Sequence, residues 1–206
     1  MKNFNEVFLI LFYFLIISSV NAQRLDVEKE LFKCINDTLG IQIENANGIK
    51  DFNYVDLIKK LEQLYLQHGL IQKNDRENYI DALKSLTNEK PIDIELEIYK
   101  KQEEIFDKTG FLKFSTYTIF ESCPYYISVN KSNDIEKIIY NQGVLLNRMF
   151  ENGLNNIELL KEFIEATDEK QFSELVFRSP TILLVAINLD FKYNEKTKKF
   201  IKVKID

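Results

Sequence analysis

The chain is 206 residues long, 45% apolar and 29% charged, with a formal charge of −5 at pH 7, one His and no Trp. These are the proportions of a folded globular protein, which excludes a disordered or collagen-like chain. A mildly acidic protein whose one dense run of bases lies at its C-terminus lacks the concentrated Lys and Arg that phosphate binding needs, so nucleic acid is not an expected partner.

Phe8 to Ile17 is an unbroken apolar run apart from the Tyr13 hydroxyl, extended by Val7 and Val20 and preceded by Lys2. Val20-Asn21-Ala22 puts small or moderate side chains where a signal peptidase reads them. Residues 1–22 are therefore expected to be a cleaved signal peptide, with Gln23 as the first mature residue. The run falls short of the roughly 20 residues that cross a hydrocarbon core. Residues 23–206 are expected as a single helical domain, periplasmic or secreted, with no stable membrane insertion after signal cleavage. An uncleaved N-terminal anchor is the alternative.

Beyond the signal, Leu25, Val27, Leu31, Ile35 and Leu39 recur at helical spacing with Cys34 on the same face; Gly40 is the expected stop, followed by a loop over 41–50. Asp51 or Asn53 is placed to cap a second helix, with a stripe of Val55, Ile58, Leu61, Leu64, Tyr65 and His68 that ends at Gly69. Asn74-Asp75-Arg76-Glu77 resembles a capping box for a third helix bearing Tyr79, Ile80, Leu83 and Leu86, and the short connection predicts an antiparallel hairpin of these two helices.

Ile92, Ile94, Leu96 and Ile98 alternate with acids as in a half-buried strand, but Pro91 suits a first helical position and helix formers continue to Gly110, so a helix is preferred. From Phe111 to Cys123 a helix is again preferred, with Pro124 ending it and 125–129 open to a short extended piece.

The second half is more regular. Asn133 and Glu136 suit the start of a long helix carrying Ile135, Ile138, Ile139, Leu145, Leu146, Met149 and Phe150 before Gly153, with Gly143 marking a close contact. Asn156 opens a helix with Ile157, Leu160, Phe163 and Ile164, and Thr167 caps another with Phe172, Leu175 and Val176. Ser179-Pro180 then restarts the chain into 181–189, the most apolar segment of the mature protein, which reads as a buried helix or, alternatively, a buried strand. The fold class that follows is all-α, an irregular multi-helix bundle of about seven to nine helices. Its one allowance for β structure is a short extended piece near 125–129 or at the C-terminus.

The residues that carry chemistry are few. His68 as the only histidine rules out multi-histidine zinc sites and the His-Glu-x-x-His motif, and it is expected as a packed, helix-terminal residue. Asn45 to Asp51 has the look of a calcium loop, but placing Gly48 at the sixth position puts Ile43 and Tyr54 where carboxylates are required. Glu95 with Glu97, Glu103 with Glu104, and Asp168 with Glu169 are expected on solvated helix faces. No cofactor or metal is implied, and no catalytic set is recognisable.

Cys34 and Cys123, the only cysteines, are expected to form a disulfide in an oxidising compartment. Closing a loop of about 90 residues would be worth about 4–5 kcal/mol in the chain-entropy model. Two buried free thiols are the alternative. Tyr117, Phe120, Tyr125 and Tyr126 surround Cys123 in sequence and read as core packing before an aromatic binding surface. Lys192, Lys196, Lys198, Lys199, Lys202 and Lys204 make 192–206 a Lys-rich tail, expected to be solvated. Asn36-Asp-Thr38 and Asn130-Lys-Ser132 fit the glycosylation pattern.

The layout of a signal, Cys34-Ile35 and a later Cys123-Pro124 resembles small exported helical proteins of unassigned function from bacteria, with too few shared residues to transfer a role. The expected function is that of an exported non-enzymatic helical protein that binds another protein, such as a periplasmic inhibitor or immunity-like partner. A hydrolase using Asp/Glu residues not recognisable from sequence is one alternative. A carrier of an apolar ligand is another.

Overall fold

The computed structural model describes residues 27–88, 90, 92–111, 118–129 and 134–194. The signal peptide, Pro91, Tyr117, the Asn130 sequon, Asn133 and the C-terminal extended piece lie outside the described residues. What forms is an all-helical, irregular bundle with no strand among the described residues.

Helix α1 (27–47) has Val27, Leu31, Ile35, Leu39 and Ile43 at four-residue intervals, all buried. The expected stop at Gly40 is overridden. A glycine inside a helix costs up to about 1 kcal/mol, whereas burying Ile43 one turn on is worth about 1.5–3 kcal/mol. The chain turns instead at Gly48, where φ is 69°.

Helix α2 (Tyr54–Gln67) is capped by Asn53, whose side chain accepts from the Asp56 amide, and ends at His68 before Gly69 at φ 71°. Helix α3 (Arg76–Thr87) starts one residue later than expected: Asp75, not Asn74, accepts from the Asn78 amide. The expected α2–α3 hairpin is not the packing found. Instead α2 packs on α4 and α9, and α3 on α9 and α7.

Helix α4 (Asp93–Thr109) resolves the alternating stretch. Glu95, Ile98, Gln102 and Phe106 form its buried stripe, which leaves Ile92 and Ile94 exposed, so the period-two pattern has no structural counterpart. The helix stops at Gly110, φ 68°, where an added Cβ would lie 2.7 Å from Ile49 Cδ1 and 2.9 Å from Ile43 Cγ2. Only glycine fits there. Asn47 Nδ2 donates to the Gly110 carbonyl at 3.1 Å, so the end of α1 is fastened to the end of α4.

A π-helical turn (Thr118–Ser122) runs directly into α5 (Cys123–Val129). The extended piece considered for 125–129 is thus helical, and Pro124 opens the element instead of ending it. Proline has no N–H to offer the Phe120 carbonyl four residues back, and a widened turn is what an interrupted α-ladder produces.

Helix α6 (Asp134–Asn152) buries Ile139, Gln142, Leu145, Leu146 and Met149. At Gly143 an added Cβ would meet the Phe120 carbonyl of the π-turn at 3.9 Å, an ordinary contact distance, so the close approach expected there is not found. Helix α7 (Ile157–Glu165) is capped by Asn156 as expected.

Asp168, not Thr167, caps the single turn α8 (Glu169–Phe172) in a capping box with Gln171, while the Thr167 hydroxyl donates to the Ile164 carbonyl. Helix α9 (Leu175–Tyr193) then passes straight through Pro180, so the break lies at Ser173–Glu174 and not at Ser179-Pro180. The proline leaves the Val176 carbonyl without its usual donor, and the Ser179 hydroxyl donates there across 3.4 Å.

Helix α9 is the axis of the bundle. It is buried from Val176 through Asp190 on almost every side and packs on α2, α3, α4 and α8, while α6 joins α5 and the π-turn to α7. The buried apolar side chains form one cluster that runs through all of these contacts. No described helix is long and apolar enough to cross a membrane.

Candidate functional site

The two cysteines meet. Cys34 on α1 and Cys123 at the start of α5 are bonded, with Cα atoms 5.8 Å apart across 89 residues of sequence. The pairing anchors α1 to the π-turn and α5. The other neighbours expected around Cys123 divide: Phe120 is buried in the core, whereas Tyr125 and Tyr126 turn outward, correcting the expectation that they pack inside. The reason is helical geometry, since α5 directs Cys123, Pro124 and Ile127 inward and the residues between them outward.

Two buried ion pairs that sequence patterning did not reveal hold the bundle around α9. Arg178 donates to Glu62 at 2.6 and 3.3 Å and to the carbonyls of Phe172 and Ser173 at 2.9 and 2.5 Å. Tyr79 donates its hydroxyl to the same Glu62 at 2.8 Å. One guanidinium therefore joins α2 to α9 while capping α8.

At the other end of α9, Lys192 lies 2.6 Å from Glu95, with 5% and 2% of the respective side chains exposed. Ser85 and Tyr193 also donate to Glu95, at 2.5 and 2.7 Å. Glu95 is thus a core residue and not part of a solvated face, and Lys192 belongs to α9 and not to the expected solvated tail. An amphipathic lysine stem suits this position, because it buries its methylenes on the way to the carboxylate.

Burial sets the tyrosine chemistry. Tyr54, Tyr65 and Tyr79 are raised well above the ordinary phenol value by desolvation, with Glu62 adding to the shift of Tyr79. Tyr193 is pushed up to about 12, first by desolvation and then by its bonding to Glu95. Tyr65 donates to Gln102, whose amide nitrogen donates to the Ala186 carbonyl. Ser179 lies close enough to Tyr54 to oppose its shift, but the Tyr54 hydroxyl makes no hydrogen bond of normal geometry. Tyr54 lines a small cavity of ≈20 Å³ together with Ser179 and Gln142.

His68 sits at the end of α2 as expected, with Lys101 Nζ 3.1 Å from Nε2 and Glu97 3.8 Å from Nδ1. An ammonium at Nε2 makes that nitrogen the acceptor, which leaves the ring proton on Nδ1 facing Glu97. The cluster lies away from the Cys34–Cys123 bond and shares no element with it. The Asn36 side-chain oxygen accepts from the Tyr54 amide at 2.7 Å, which ties α1 to the start of α2. Among the described residues no group of three His, Cys, Asp or Glu side chains converges as a metal site.

Two open surface features among the described residues lie on the two sides of α6. A groove of ≈490 Å³ between α5 and α6 is lined by Tyr125, Tyr140, Pro124, Gly143, Val144 and Glu121, among others. Tyr125, Tyr140 and Val144 there are 65%, 53% and 42% exposed. On the other side, a shallower cleft of ≈710 Å³ between α6 and α7 also includes Val144, with Arg148 paired to Glu162 at 2.7 Å and Lys161 near Glu165 at 3.9 Å. The outer face of α6 is therefore a ridge of Tyr140 and Val144 with a cleft on either hand. The alternation of buried Ile139, Gln142 and Leu146 with these outward residues is legible in sequence only once the helix phase is known. No protein-family model, curated protein or solved structure matches the chain.

Proposed function

We propose that the chain is an exported, non-enzymatic protein-binding module that meets its partner along the outer ridge of α6. The observation that carries this reading is the exposed Tyr140–Val144 ridge, extended across the groove by Tyr125. Aromatic residues dominate interface energetics because they bury large area with little conformational freedom to lose. The clefts flanking the ridge give a partner concave surface to fill.

The polar groups of the interior support the same reading. Glu62 and Glu95, two of the four acids buried among the described residues, each face a cation inside the bundle and serve to position α9. The small cavity beside Tyr54 has the volume of one water, far below the few hundred Å³ that a carried ligand occupies.

The test is affinity capture from the envelope fraction of the source cells at native expression, with the wild-type protein and Val144→Asp. A protein recovered with the wild type and reduced at least about tenfold by Val144→Asp, with an unchanged melting curve for the variant, is the expected result. Recovery of the chain alone would overturn the reading. Export is tested separately by N-terminal sequencing of the native protein, with Gln23 expected first; retention of Met1 would contradict cleavage.

A further inference from the structure

The two sides of α6 differ in charge chemistry. In the α6–α7 cleft each base has an acid opposite it, Arg148 with Glu162 and Lys161 with Glu165. In the α5–α6 groove the lining includes the carboxylate of Glu121 and the rings of Tyr125 and Tyr140, with no lysine or arginine among the described residues. Glu121 projects from the π-turn and is half-buried, while both rings are largely exposed.

A partner that covers this groove takes water from a carboxylate. That is unfavourable unless a cation or several donors arrive with it. Tyrosine ring faces attract cations in their turn, and most strongly when water is excluded. An apolar or acidic segment would leave Glu121 desolvated and alone. A guanidinium satisfies both demands at once, because its planar fork pairs with a carboxylate through two hydrogen bonds and its face stacks on an aromatic ring. Lysine offers a point charge and no stacking plane.

We propose that the α5–α6 groove receives an arginine side chain from a basic segment of the partner protein, with Glu121 as its counter-ion and Tyr125 and Tyr140 as its walls. This rests on the protein-binding reading above and names the chemistry of the partner. The groove then sets specificity by charge, and the Tyr140–Val144 ridge supplies apolar contact.

The experiment uses the folded, disulfide-bonded protein and a synthetic Gly/Ser peptide with two central arginines, beside the same peptide with citrulline, which keeps the shape and removes the charge. Affinity is measured by anisotropy and the site by amide chemical shifts. The arginine peptide is expected to shift Gly143, Val144 and Asn147 and to bind at least about tenfold more tightly than its citrulline twin. Glu121→Gln is expected to remove that difference while leaving citrulline binding unchanged, and Tyr140→Leu to weaken the arginine peptide alone.

Equal affinity for the two peptides, shifts confined to other acidic faces such as α4, or no binding at all would each overturn the proposal. Capture of a native partner that is lost with Val144→Asp but unaffected by Glu121→Gln would overturn it as well, and would leave the protein-binding reading standing.

Discussion

Replacing Arg178 by Met tests whether the buried polar cluster, and not apolar packing alone, fixes how α9 sits. The methionine fills most of the volume but removes the two bonds to Glu62 and the two to the carbonyls of Phe172 and Ser173. Glu62 is then left with only the Tyr79 hydroxyl, its side chain still about nine-tenths buried. Breaking one side of a buried ion pair in this way costs about 3–5 kcal/mol. At 2–4 °C per kcal/mol for a chain of this size, a loss of about 4 kcal/mol lowers the melting temperature by about 8–16 °C.

Glu62→Leu combined with Arg178→Met removes both charges together and leaves one hydroxyl and two carbonyls to find partners, at a cost of about 1–3 kcal/mol for each that stays unsatisfied. Urea unfolding of the wild type, both single variants and the double variant, followed by far-ultraviolet circular dichroism, gives the coupling energy directly, and a value of about 2 kcal/mol or more is expected. A loss below about 1 kcal/mol for Arg178→Met, or strictly additive single effects, would refute the role assigned to the pair.

Opening the Cys34–Cys123 bond, by reduction or by the double Ser variant, is expected to cost about 4–5 kcal/mol, since the bond closes a loop across 89 residues; a urea midpoint shifted by less than about 1 kcal/mol equivalent would contradict this. Tyr54→Phe removes a buried hydroxyl that lacks a regular partner, so stability is expected to be unchanged or raised by up to about 1 kcal/mol, and a loss above about 1.5 kcal/mol would show that the hydroxyl is hydrogen-bonded in solution. For Tyr193, Tyr65 and Tyr79 the folded state favours the protonated phenol, so their contribution is complete below pH 10.0 and is lost as pH rises through 10.0 toward 12 and beyond. The urea midpoint is expected to fall steeply over that interval, with the buried tyrosinate absorbance appearing as helical signal is lost; full tyrosinate absorbance with helix intact would refute it.

Local chemistry was readable wherever a single residue type decides the outcome. Asn53, Asn156, Gly69, Gly110 and Gly153 mark helix ends because capping geometry and left-handed backbone admit few side chains. Boundaries failed where burial outweighed local preference, as at Gly40, which Ile43 carries through, and at Pro180, which the core holds inside α9. The cysteine pairing followed from the count of two and an expected oxidising compartment, yet the spatial neighbours of Cys123 did not, because the π-turn sets the phase of α5. Least legible were the polar anchors. Glu62, Arg178, Glu95 and Lys192 look in sequence like any surface charge, and only the meeting of helices more than 90 residues apart makes them interior.

The position of α9 also has a bearing on time. Helices α2, α3, α4 and α8 all bury their apolar faces against it, and it is made after every one of them. Chains are synthesised at about 5–20 residues per second, so for several seconds α2 can meet α4 and α3 can meet α7 while the surfaces they share with α9 stay uncovered. The apolar faces of α2, α3, α4 and α8 that α9 covers, and the carboxylates of Glu62 and Glu95 that pair with Arg178 and Lys192, therefore gain these partners only once α9 has been made.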